Sequence, residues 1–167
     1  YNYIYDPYFV LRHDVKSMRI LPNERWVKTE HLIKNPDKYD SLLLSSSRVS
    51  QIPVEYMNKV SGKRYYNMTL MAGVPTDYVQ ILTMLVKHKV GIKKVLIGLD
   101  FYSFEGATPQ QFNRGIMYLD DPWARMKQYL AYLFLSIDSN NFFELRFDNK
   151  DIVYDIFGTG EYTFVRK

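Results

Sequence analysis

Polar and apolar positions are mixed without a period over residues 1–35, and they fall into a repeating order after that. The first stretch carries turn signals at Asp6-Pro7 and Pro22-Asn23 and reads as an irregular aromatic lead-in with one short helix near residues 28–34. Asn35-Pro36-Asp37 interrupts the chain, and residues 36–167 read as one α/β domain. Tyr39 to Leu44 ends in three leucines and has the length of a buried parallel strand. A short helix is predicted near Pro53 to Lys59, a turn at Ser61-Gly62-Lys63, and a second strand at Arg64 to Met68. Pro75-Thr76-Asp77 opens a helix running to about His88, with Thr76 read as its N-cap and Asp77 favourable near its positive end. Tyr78, Leu82, Leu85 and Val86 give that helix its spacing, and Lys94 to Leu99, rich in branched residues, is a third strand.

Strand, helix, strand, helix, strand at this spacing predicts βαβ crossovers and a three-layer, mainly parallel sheet. Beyond Asp100 the alternation stops. Phe101 to Leu119 reads as a long loop, and Asp121-Pro122 as the start of a helix from Trp123 to about Leu135. Apolar residues lie on most faces of that helix, so it is expected to be buried or to meet a partner. Asp138-Ser139-Asn140 is read as the start of another helix, and Asp148 to Phe157 as helical, ended by Gly158-Thr159-Gly160.

Composition narrows the classes. An apolar fraction of 47% with 24% charged residues supports a packed core rather than disorder. With no cysteine, disulfides, thiol catalysis and cysteine-based zinc sites are excluded. The net charge of +4 is spread among acidic residues, and the basic spots (Lys63-Arg64, Lys87-His88-Lys89, Lys93-Lys94) form no stripe, which argues against a nucleic-acid partner. The longest apolar stretch, Tyr129 to Ile137, falls short of the roughly 20 residues a membrane span needs. Because the chain opens on Tyr1 rather than Met, upstream residues are expected to have been removed.

Candidate chemistry sits at the strand ends. Ser45-Ser46-Ser47-Arg48 follows the first strand, Asn67 to Gly73 follows the second, and Gly98-Leu99-Asp100 closes the third. Ligands in open α/β sheets bind beyond the carboxyl ends of the strands, so these three segments can share one crevice. Taken alone, the serines also fit a polar turn with a helix cap.

In order and spacing these blocks resemble the SGNH (GDSL-like) hydrolases, in particular envelope-associated members similar to the D-alanyl-transfer proteins of teichoic acid synthesis. The resemblance rests on Leu44 through Arg48, Tyr66-Asn67 through Gly73, and Ile97 through Phe101, and covers roughly residues 40–104. It implies a flavodoxin-like fold, here incomplete. Ser47 takes the nucleophile position, the N–H groups of Ser47 and Gly73 the oxyanion hole, and Ser46, Arg48, Asn67 and Asp100 line the site. It further implies a serine esterase or acyltransferase acting on an acylated cell-envelope glycan or polymer, with no cofactor and no metal, in an extracytoplasmic domain tethered by an upstream membrane anchor. Oligomeric state is left open.

The chain departs from the family pattern at three places. Ser45 stands where a glycine is usual. Asp100 replaces an asparagine; as a carboxylate it cannot donate to an oxyanion, and pairing with Arg48 is an alternative role. The closing D-x-x-H block is missing, since the three histidines are His13, His31 and His88. Without its base a serine hydroxyl is a weak nucleophile. Two readings follow: an amino-terminal portion whose Asp-His block lies downstream, inactive by itself, or a non-catalytic binding or scaffold protein of the same fold.

Overall fold

The computed structural model describes residues 3, 23–104, 121–134 and 152–164. Its centre is a three-stranded, all-parallel sheet of β1 (Ser41–Leu44), β2 (Tyr65–Asn67) and β3 (Lys94–Ile97), in the order β2-β1-β3. Ser41, Leu42 and Leu43 stand opposite Tyr65, Tyr66 and Asn67, while Ser41 through Leu44 stand opposite Lys94 through Ile97. The coarse α/β class and the parallel sheet expected from the sequence are therefore present.

Side chains alternate across a strand, and the two faces of β1 are covered by different helices. Leu42 and Leu44 join Tyr66, Met68 and residues of α1 (Glu24–Lys34) and α3 (Pro75–Lys87) in the larger core. Leu43 faces the other way, with Tyr65 and with Val54 and Met57 of α2 (Val54–Ser61). All three leucines are fully buried; losing such a side chain to alanine typically costs about 2–5 kcal/mol. β3 is an edge strand among the described residues, and Leu96, Ile97 and Leu99 are exposed.

Several boundaries differ from expectation for physical reasons. α1 begins at Glu24, capped by the Asn23 side chain accepting from Trp26 N at 3.3 Å, and its Trp26, Val27 and Leu32 enter the core. Thr76 is not the cap of α3. Val74 occupies that position, and Asp77 reaches back to accept from Val74 N at 3.1 Å. α4 (Pro122–Leu133) starts as expected, with Trp123 N donating to Asp121 Oδ1 at 2.9 Å. It packs on α1 through Tyr129, edge-on to Trp26, and through Arg125, 2.8 Å from Glu30. Trp123, Met126 and Leu130 are exposed, so of the two expectations for α4, burial or meeting a partner, burial on most faces is not seen.

The expected helix over Asp148 to Phe157 is overturned where it is described. Ile152–Tyr154 is a strand, β4, pairing antiparallel with β5 (Tyr162–Phe164). Gly158-Thr159-Gly160 is the bend of that hairpin. Asp155 accepts from Thr159 N at 2.7 Å, and Gly160 takes a left-handed φ of 77°. Residues 1, 2 and 4–22 of the lead-in, the loop after Phe104 and the helix expected at Asp138-Ser139-Asn140 lie outside the described residues.

Candidate functional site

The order β2-β1-β3 means that the chain leaves β1 toward one side and returns to the other. The crevice at such a reversal lies between the carboxyl ends of β1 and β3. Ser45 to Ser47 leaves β1 there, and Gly98 to Asp100 leaves β3.

The three serines have different tasks. Ser45 is fully buried; its Oγ donates to Gly98 O at 2.9 Å and its carbonyl accepts from Leu70 N at 2.9 Å. Ser46 Oγ donates to the Asp100 carboxylate and accepts from Arg48 N at 3.3 Å. These two residues thus join the end of β1 to β3 by side chains and to the segment after β2 by backbone. Ser47 is half-buried. Its carbonyl accepts from Ser50 Oγ at 2.6 Å and from Tyr162 Oη at 3.2 Å, while its own hydroxyl engages no described residue. Ser47 to Ser50 forms a turn, and α2 begins only at Val54, so no helix dipole bears directly on Ser47. Arg48 is exposed at the tip of the turn.

Gly73 approaches from the β2 side. A Cβ built there would stand 2.9 Å from Ser45 O and 3.2 Å from Tyr78 Oη, so only glycine fits without displacing backbone. Its N–H donates to Leu70 O at 3.2 Å and closes a turn in which Ala72 has φ 48°. Asn67 is fully buried beneath the serine turn. Its Oδ1 accepts from Thr69 N and Oγ1, and its Nδ2 donates to Ser50 O at 3.3 Å. It fastens the two loops together.

Sequence reasoning missed two groups that build this region. The first is the opening face of α1. Glu24 Oε2 accepts from Met71 N at 2.7 Å, Arg25 reaches Met71 O, Ala72 O and Asp77, and Lys28 Nζ donates to Asn67 O at 3.2 Å and Thr69 O at 2.8 Å. Burial lowers the pKa of Lys28, and the charge of Glu24 partly opposes that. In the sequence these residues look like the solvated face of an ordinary helix. The second group belongs to the β4–β5 hairpin: Tyr162 holds Ser47 and Ser50, Glu161 Oε1 accepts from Val54 N at 2.6 Å, and Thr159 O accepts from Asn67 N at 2.8 Å. Burial raises the pKa of Tyr162, against its hydrogen bond with Ser50.

Tyr78, on α3, brings its hydroxyl beside Gly73, buried and without a hydrogen-bond partner. Burial, with the charges of Asp77 and Asp100 adding and Arg25 opposing, pushes its pKa up to about 12. The two described histidines have structural places of their own: His31 bonds to Tyr39 Oη at 3.1 Å and stacks on Tyr66, and His88 stands at the C-cap of α3. Among the described residues no three acidic or histidine side chains are grouped to hold a metal ion. The region can present a serine hydroxyl and loop backbone to a ligand at the sheet edge. The chain matches no family model, no curated protein and no solved structure.

Proposed function

We propose that the chain carries the nucleophile half of an SGNH-like serine esterase or acyltransferase, with Ser47 as its nucleophile. One observation carries the reading: of the three serines at the β1–β3 crevice, two have their hydroxyls tied to Gly98 and Asp100, while Ser47 is partly exposed and its hydroxyl engages no described residue. In the reaction, Ser47 Oγ bonds to the acyl carbon and gives its proton to a base outside the described residues. The leaving alcohol departs with a proton, and water or an acceptor hydroxyl then takes the acyl group from Ser47. The acylated envelope glycan or polymer, the extracytoplasmic setting and the upstream anchor rest on the sequence resemblance alone. Within the described residues no helix is long and apolar enough to cross a membrane.

A second reading, a binding or scaffold protein of the same fold, is favoured by two particulars. The Gly73 N–H already donates to Leu70 O, and His31 is held in an aromatic cluster. Fluorophosphonate labelling of the intact protein separates the two. Labelling that disappears in Ser47→Ala supports the enzyme; an unlabelled intact protein supports the scaffold.

A further inference from the structure

We propose that Arg25, together with Glu24, is a positioning residue for the chemistry at Ser47, holding the Met71–Ala72 peptide in the left-handed turn that sets Gly73 against Ser45. This rests on the reading of Ser47 as nucleophile.

Ala72 has φ 48°, a region alanine enters only when its surroundings enforce it. Here the enforcement is charged and comes from outside the loop. Met71 N donates to Glu24 Oε2 at 2.7 Å, fixing the near side of the turn. Arg25 Nη2 donates to Met71 O at 3.2 Å and Ala72 O at 3.3 Å, fixing the far side. The guanidinium is itself fixed by Asp77, through Nε to Oδ1 at 3.1 Å and Nη2 to Oδ2 at 2.9 Å. Asp77 in turn holds Val74 N at 3.1 Å, so the clamp grips the chain on both sides of Gly73. A lysine lacks the planar fork that serves a carboxylate and two carbonyls together.

The turn acts on the serines by contact. Leu70 N donates to Ser45 O at 2.9 Å, Leu70 pairs with Ser46, and Gly73 lies too close to Ser45 O for any side chain. A relaxed Ala72 would move Gly73 and, through Ser45, the neighbouring Ser47. Displacements of about 1 Å in such arrangements cost roughly 10²-fold in rate.

The test is the second-order rate of fluorophosphonate labelling at Ser47 in the intact protein, with thermal unfolding run in parallel. Arg25→Lys is expected to unfold cooperatively and to label at least about 10-fold more slowly. Adding Ala72→Gly, which accepts the left-handed turn without enforcement, is expected to recover much of the loss. A folded Arg25→Lys protein labelling at the original rate overturns the proposal, as does a slow variant that Ala72→Gly leaves equally slow. If Arg25→Lys does not fold, Ala72→Val decides: its side chain is exposed, but a branched residue resists this φ, so slowed labelling supports the clamp and unchanged labelling overturns it. An intact protein that never labels overturns the assignment of Ser47 and this proposal with it. A labelled protein indifferent to Arg25 and Ala72 overturns the clamp alone.

Discussion

Arg25 and Asp77 meet through both carboxylate oxygens, at 3.1 and 2.9 Å, with both side chains buried. The pair joins α1 to the start of α3 on either side of the Gly73 loop. Removing one member of a buried ion pair strands the other. Asp77→Ala is therefore expected to lower stability by about 3–5 kcal/mol, read as a lower urea midpoint with an unchanged slope. A loss within about 1 kcal/mol would mean that the Arg25 charge is met by solvent instead.

The two glycines at the crevice should respond differently. At Gly73 an added Cβ meets Ser45 O, a backbone atom, at 2.9 Å; at Gly98 its nearest neighbour is the Ser45 hydroxyl, at 2.6 Å. Gly73→Ala should cost about 1–3 kcal/mol whatever stands at residue 45. Gly98→Ala should cost less in a Ser45→Ala background than alone. Chemical denaturation of the four proteins of the Ser45/Gly98 cycle checks this; strict additivity would count against a clash between the Ser45 hydroxyl and the new methyl group.

Lys28 should make stability depend on pH. Burial lowers its folded pKa below the ordinary 10.5, so between those two values the unfolded chain binds more protons and stability rises with pH. Urea unfolding of the original protein and of Lys28→Met across pH 7 to 9.5 should show the original gaining on the variant as pH rises. A constant difference would mean that the ammonium titrates as it does in water.

Tyr78 gives the opposite slope. Its folded pKa of about 12 lies above the ordinary 10, so its contribution is intact below pH 10 and is lost as pH climbs toward 12. Tyr78→Phe also removes a buried hydroxyl that has no partner. The variant should be within about 1 kcal/mol of the original at pH 7, or more stable, and should lose less stability between pH 10 and 12. Guanidinium titrations at pH 7 and 11 read both effects.

The parts of the fold carried by local pattern were legible. β1 and β3 fall on runs of aliphatic residues, β2 on the Tyr65-Tyr66 pair, and α3 on helical spacing behind Pro75. So the meeting of the Ser45, Gly73 and Asp100 segments at one edge followed from alternation alone. What stayed hidden depends on distant partners. Glu24, Arg25 and Lys28 are buried against loop carbonyls, Met71 N and Asp77, which bond to Glu24 Oε2, the guanidinium and the ammonium, and nothing around residue 24 announces that. Ile152–Tyr154, expected to lie in a helix over Asp148 to Phe157, is extended because Tyr162–Phe164 pairs with it. The N-cap of α3 went to Val74 because Asp77 bonds its N–H, which left Thr76 without that task.

Tyr162 binds the carbonyl of Ser47 from 115 positions later in the chain, and its hairpin also holds Asn67 and Val54. The order of folding follows from this. Contacts within residues 23–104 close spans such as the 54 positions from Ser46 to Asp100, whereas the hairpin support of the serine turn closes 115 positions, a larger loop whose entropy cost precedes any reward. During synthesis the fold would stand before its serine turn is braced, and Ser47 would reach its final place late, when the hairpin docks.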